Sequence, residues 1–227
     1  MQTNTVLESA FRYAKEVFII FLGVSISFLV DKCKNDYQDK MAEATLLVSL
    51  RLDLVKDSTQ LHEMCVGTRL IVHGVKTLYD NIDDFAPIED SLYEYIRTLS
   101  FSSVFTPTNM TYEEIKQNGF SKLLKNQKLR RNIYELYCNN YEDLKVVSTK
   151  VGTRIELDVS PVLHQRLPFT KTGIYTPPQI KEVKALFKEN HLKNIVRFSL
   201  RDQQMSLRYY EGTYEKVKVI LKEIPLH

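Results

Sequence analysis

Residues 17–30 read VFIIFLGVSISFLV, fourteen consecutive positions without a charge. On a helix such a run is apolar on every side, so one neighbouring layer of protein cannot cover it; it must be surrounded. Fourteen helical residues reach about 21 Å, short of the roughly 30 Å hydrocarbon core of a bilayer. Phe11, Tyr13 and Ala14 add another apolar turn, and Lys15, Lys32 and Lys34 stand at the ends, where their stems can carry charge to a polar boundary. The sequence that follows, Asp31-Lys32-Cys33-Lys34-Asn35-Asp36, has no small-x-small cleavage site. The expectation is an N-terminal segment and membrane-spanning helix over 1–35, continuing into a soluble helical domain over 36–227. A buried core helix or a cleaved signal is the alternative. Arg12 and Lys15 precede the run, whereas Lys32, Lys34, Lys40 and Arg51 follow it, so the body is expected on the cytoplasmic side of an inner membrane.

The rest of the chain points to helices. Seven Gly and seven Pro in 227 residues are too few for a protein built from many hairpins. The formal charge of +3 gives no warrant for a general nucleic-acid binder, although local basic patches are compatible with it. Cys33, Cys65 and Cys138 are isolated, with no CxxC and no His at ligand spacing, and read as reduced thiols. The His residues form no zinc signature, and there is no phosphate loop, GxGxxG or GxSxG. Neither metal nor cofactor is expected, no small-molecule substrate is evident, and no familiar enzyme is matched.

Apolar periodicity predicts a helix from Lys40 to Met64, a second from Gly67 to Ile82 and a short one from Ile88 to Leu99. Phe101–Asn109 is expected to be a loop. Thr111-Tyr112-Glu113-Glu114 has the capping-box pattern, with Gly119 as the matching stop. Asn126 can cap a helix carrying Leu129, Ile133, Leu136, Tyr137, Leu144, Val147, Val151 and Ile155. A loop is expected over Ser160–Thr176, a helix opening at Thr176-Pro177-Pro178, and a last helix from Leu192 to Glu223.

Three sets of residues are candidates for function. Glu16, Gly23, Ser27 and Lys34 fall on one helix face, with Arg12 a turn before Glu16. Gly23 and Ser27 make a small-xxx-small pair, which lets two helices approach closely in lipid. The stripe is either such a packing seam or the wall of a water-filled lumen in a ring of copies. Lys122, Lys125, Lys128, Arg130 and Arg131 form the densest basic string, a solvated helix face or a contact for phosphates or anionic lipid heads. Arg69 and His73 lie four apart on one helix face.

The last pair is similar to the R-x(4–6)-H signature of HEPN ribonucleases, with the spacing one residue short and Leu70 where a polar residue is usual. The resemblance implies RNA binding or cleavage by a helical dimer. The anchor, over about 11–36, and the segment Phe105–Tyr137, with its Thr-Tyr-Glu-Glu-Ile-Lys-x-x-Gly stretch at Thr111–Gly119, resemble an uncharacterised family of small Bacteroidota single-pass membrane proteins. That resemblance implies anchoring and helices but no activity. The layout is also similar to the membrane-pore accessory protein of type VI-B, RNA-targeting CRISPR systems. This implies a non-enzymatic homo-oligomer in a lipid bilayer that depolarises the membrane in antiviral defence, with a protein or RNA effector as partner. The alternative is an anchored scaffold that presents its helical domain to a protein partner.

Overall fold

The computed structural model describes residues 3–119 and 124–225, apart from the side chains of 3–14, 16 and 118. Among the described residues all regular structure is helical, as the sequence predicts. Two compact units divide at Val48 and Ser49.

Helix α1 spans Thr3–Asp80. The break expected between Met64 and Gly67 is absent. Cys65 and Thr68, on either side of Gly67, are both buried, and that packing outweighs the roughly 1 kcal/mol that glycine costs in a helix. Gly74 has a positive role, since a Cβ there would lie 2.5 Å from Thr98 Cγ2. Among the described residues no helix is long and apolar enough to cross a membrane. The expected spanning helix falls short because its uncharged run is only fourteen residues long, and the proposed extension through Phe11, Tyr13 and Ala14 lies outside the described side chains.

In the second unit, α1 is followed by α2 (Leu92–Arg97), flanked by 3-10 turns at Ala86–Ser91 and Thr98–Ser100. After the expected extended loop comes α3 (Met110–Asn118), which ends at Gly119 with φ +88°, a left-handed conformation that glycine adopts without strain. From Gln127 to Arg166 the chain stays helical: α4 (Gln127–Glu135), a π turn (Leu136–Asn140), α5 (Tyr141–Arg154), a second π turn (Ile155–Val159) and α6 (Ser160–Arg166). Asn126 caps α4 as predicted, its side chain accepting from Leu129 N at 3.1 Å.

The loop expected from Ser160 begins only at Leu167. Pro161 sits at the start of α6, directly after the second π turn, where the altered hydrogen-bond ladder tolerates a residue with no N–H to give. Helix α7 (Pro177–Leu186) opens where the double proline predicts, with Thr176 N donating to Gln179 Oε1 at 2.8 Å. Helix α8 spans Asn190–Glu223.

One core gathers Val75 and Leu78 of α1, Leu92 and Ile96 of α2, Val183 of α7 and Leu192 and Val196 of α8 around Phe85 and Phe187, whose rings meet edge to face at 5.4 Å. Toward the other end of the unit α4 and α5 lie along α8. Arg154 of α5 reaches the buried Asp202 of α8, with Nε 2.6 Å from Oδ2.

Candidate functional site

In the first unit every large apolar side chain from Val17 to Val30 is open to the surroundings, 41–71% exposed. Exposure on all faces of a helix is a condition water does not tolerate over such an area. Gly23 would meet nothing within 4 Å if it carried a Cβ. Ser27 Oγ donates to Gly23 O at 3.0 Å, so its proton is taken by its own helix while its oxygen remains an acceptor. Lys34 is exposed. Arg12 and Glu16, expected on the same stripe, have side chains outside the described residues.

Arg69 and His73 are both exposed on α1, but they serve different surroundings. Arg69 donates through Nε and Nη2 to Glu211 Oε1 of α8, at 3.1 and 2.7 Å, and this bond is the first cause of its raised pKa. His73 lines a groove with Gly74, Tyr95, Arg97 and Phe101, which Arg69 does not reach.

Two cations of the basic string are paired from within. Lys128 pairs with Glu223 at 2.6 Å and Arg131 with Glu135 at 2.7 Å. Asn132 and Lys216 join these into a bracket between α4 and α8: Asn132 Nδ2 donates to Glu223 Oε2 at 2.7 Å, and Lys216 Nζ to Glu135 Oε2 at 2.9 Å. Those donors hold the carboxyls of Glu135 and Glu223 below their ordinary range. Arg130 is half-buried and Lys125 exposed, while Lys122 lies outside the described residues.

The most organised polar site was not singled out from the sequence. On the buried face of α1, between Leu50 and Leu61, stand Asp53 and Asp57, with Asp57 fully enclosed. Asp57 Oδ1 accepts from Thr108 N at 2.8 Å and Oδ2 from Tyr141 Oη at 2.7 Å. Asp53 Oδ2 accepts from Thr111 Oγ1 at 2.5 Å and from Thr111 N at 3.3 Å. Thr111 therefore does not cap its own helix. Asn109 occupies the N-cap position, and the Thr111 hydroxyl goes to the stronger, buried carboxylate acceptor.

These bonds also hold down the Phe101–Asn109 loop, whose ends are tied to the flanking backbone by Phe101 N to Thr98 O at 3.3 Å and Glu113 N to Asn109 O at 2.9 Å. Tyr137 Oη donates to Thr108 O at 3.1 Å, Gln203 Nε2 to Phe101 O at 2.7 Å and Tyr210 Oη to Ser103 O at 2.7 Å. Around Asp57 the tyrosines pack ring on ring: Tyr112 stacks on Tyr137 at 4.1 Å, Tyr137 meets Tyr141 edge to face at 5.0 Å, and Phe105 tilts against Tyr141 at 5.1 Å. Tyr112 Oη lies 3.0 Å from Cys138 Sγ.

The rings, with Pro107 and Asn109, line a cavity of about 490 Å³ whose edge carries Glu113, Glu142 and Lys145. Burial, then the charge of Asp57, raises the phenols of Tyr137 and Tyr141 well above their ordinary value, so they act as fixed donors rather than as acids. Burial also raises Asp57, against the pull of its Thr108 and Tyr141 hydrogen bonds.

The signal for this site was present in the sequence. Asp53 and Asp57 are spaced i, i+4 on the same stripe as Leu50, Leu54 and Leu61, and carboxylates at core positions require dedicated donors. Among the described residues no group of three or more His, Cys, Asp or Glu is placed to hold a metal ion. Compared with known proteins, the chain matches no family model, no curated sequence and no solved structure.

Proposed function

We propose that the chain is a membrane-anchored helical protein that self-associates through the N-terminal part of α1, and that the assembly conducts ions and depolarises the bilayer. The observation that carries this reading is the helical run Val17–Val30, whose large apolar side chains are exposed on every face. Lipid and neighbouring copies are the surroundings that such a surface accepts. Snorkelling by Lys32 and Lys34 and local thinning of the bilayer make up the depth that fourteen residues do not reach. The open space beside Gly23 supports close approach of a second helix. A role in antiviral defence rests on the similarity of layout to the type VI-B accessory pore protein.

An anchored scaffold is the second reading, and the Ser27 back-bond favours it: with the hydroxyl bonded to Gly23 O, the stripe suits a dry helix contact better than a wet wall. The test is the mass of the full-length protein in detergent, by light scattering corrected for bound detergent, followed by dye leakage from liposomes. A discrete oligomer that leaks, with both properties lost in Gly23→Leu and Ser27→Leu, supports the pore. A monomer overturns self-association, and an oligomer that seals leaves the scaffold.

A further inference from the structure

We infer that the outer face of α8 binds single-stranded nucleic acid through its phosphates. The face lies wholly within the second unit, and the inference does not depend on membrane insertion.

The first observation is charge. Between Asn190 and Tyr210 the one acidic residue is Asp202, which is buried and held by Arg154, with Nε 2.6 Å from Oδ2. The outer surface of that stretch therefore carries basic groups without acidic ones. Arg197, Arg201 and Arg208 are exposed. At intervals of four and seven residues they share one side of the helix, opposite the side that buries Ile195, Ser199, Ser206 and Tyr210. Among the described residues none of the three is ion-paired, and Arg208 only donates Nε back to Gln204 O at 3.4 Å. Guanidinium groups stay charged at physiological pH, so this field does not depend on how a buried group titrates.

The second observation is that like charges are drawn together rather than spread. Arg154 and Arg201 bring their guanidinium carbons to 5.4 and 5.8 Å from one ring centroid, that of Phe198. The ring is thus occupied by the protein's own cations and holds them in place. Like charges one helical turn apart, as in Arg197 and Arg201, cost stability, and no carboxylate on this face relieves the cost. An external polyanion would.

The third observation selects the polyanion. Along the axis Arg197, Arg201 and Arg208 stand about 6 and about 10 Å apart, a row that suits a chain of charges. Planar guanidinium forks match phosphate oxygens two at a time. Tyr209 borders the row beside Arg208. It is 39% exposed and, among the described residues, has no hydrogen-bond or ring partner, which leaves ring surface available to a stacked base. A phosphodiester strand supplies both the charge repeat and the base. An acidic peptide or an anionic bilayer supplies only the charge.

The test is fluorescence anisotropy of a fluorescein-labelled oligouridylate with the full-length protein in a maltoside detergent, read over a series of KCl concentrations. Three phosphate contacts to a single strand predict that log Kd rises with log salt at a slope of about 2, and Arg201→Gln should lower that slope by about 0.7. Tyr209→Leu should weaken binding at least about fivefold with the slope unchanged. The double variant Lys128→Gln, Arg131→Gln removes two cations that already have carboxylate partners and should leave the affinity in place. Circular dichroism confirms that each variant is folded.

Absence of a saturable change in anisotropy, a loss in the Lys128, Arg131 variant as large as in Arg201→Gln, or an unaltered affinity in folded Tyr209→Leu would overturn the proposal. So would displacement of the labelled strand by polyglutamate or short-chain phosphatidylglycerol, at equal charge, as effectively as by unlabelled strand; that result would assign the face to an acidic peptide or a lipid surface.

Discussion

Replacing Asp57 with alanine tests whether a buried carboxylate organises the second unit. Asp57 is fully enclosed and accepts from Thr108 N at 2.8 Å and from Tyr141 Oη at 2.7 Å. Its removal orphans one buried donor, Tyr141 Oη, and one half-buried donor, Thr108 N, at about 1–3 kcal/mol each. Part of that loss is offset because the carboxylate is no longer held in a poorly solvating site, the cost that its raised pKa reports. The net expectation is a destabilisation of about 3 kcal/mol, or a fall of roughly 6–12 °C in Tm for a domain of this size.

Tyr141→Phe leaves only one carboxylate oxygen short of a donor and should cost about 1–2 kcal/mol. With both changes present, the ring at position 141 has no hydroxyl to orphan, so the double variant should be less damaged than the sum by about 1.5 kcal/mol. Urea unfolding followed by circular dichroism at 222 nm, on the wild type and three variants in one detergent, gives the coupling directly. A coupling below about 0.5 kcal/mol, the level at which independent sites add, would refute the view that Asp57 and Tyr141 act as one unit.

Two further expectations concern other places in the same unit. Gly74→Ala puts a methyl 2.5 Å from Thr98 Cγ2 and should cost about 1–3 kcal/mol by overpacking; adding Thr98→Ala removes the closest atom, and thermal melts should show at least half of the loss recovered. The carboxyls of Glu135 and Glu223 are lowered from their ordinary 4.5 by hydrogen bonds from Lys216 and Arg131, and from Lys128 and Asn132, respectively. The stability they contribute is therefore present above pH 4.5 and lost as pH falls through their lower, folded values. A ¹³C carboxyl titration should place the Glu135 midpoint below 4.5 in the wild type and move it up toward 4.5 in Lys216→Met; an unmoved midpoint would dissociate the shift from Lys216.

Where local chemistry and tertiary packing agree, the sequence is a sufficient guide. Asn126 caps α4, Pro177 opens α7 and Gly119 ends α3, each for a reason contained within a few residues. The misplaced boundaries arise where distant partners outweigh local preference. Gly67 passes as helix because Cys65 and Thr68 close beside it are buried, and Pro161 because a π turn precedes it. Thr111 gives its hydroxyl to Asp53, fifty-eight residues earlier in the chain, and not to its own helix.

The candidate site was half legible. Tyr134, Tyr137, Tyr141, Tyr209 and Tyr210 stand at the spacings of core-edge side chains; Tyr137, Tyr141 and Tyr210 are buried, whereas Tyr134 and Tyr209 are exposed. The partnership of Tyr141 with Asp57 could not be read, because nothing in a single sequence says which donor meets a carboxylate on another helix. The Arg69–His73 pair shows the converse. Spacing on α1 puts the two on one side, yet Glu211 of α8, which the spacing does not know about, engages only Arg69.

The two π turns give the stretch from Gln127 to Arg166 an unusual relation to insertions and deletions. Each behaves as a place where an α-helix has taken up one surplus residue without breaking. Loss of the exposed Asn139 would therefore leave a longer and more regular helix rather than a gap. The segment beyond it would keep its register, because Tyr141 N already donates to Leu136 O five residues back and that bond would become an ordinary four-residue step, with Tyr141, Leu144 and Val147 still on the core face. A residue lost from the regular turns of α5 would instead rotate everything beyond it by about 100° and carry the wrong side of the helix inward.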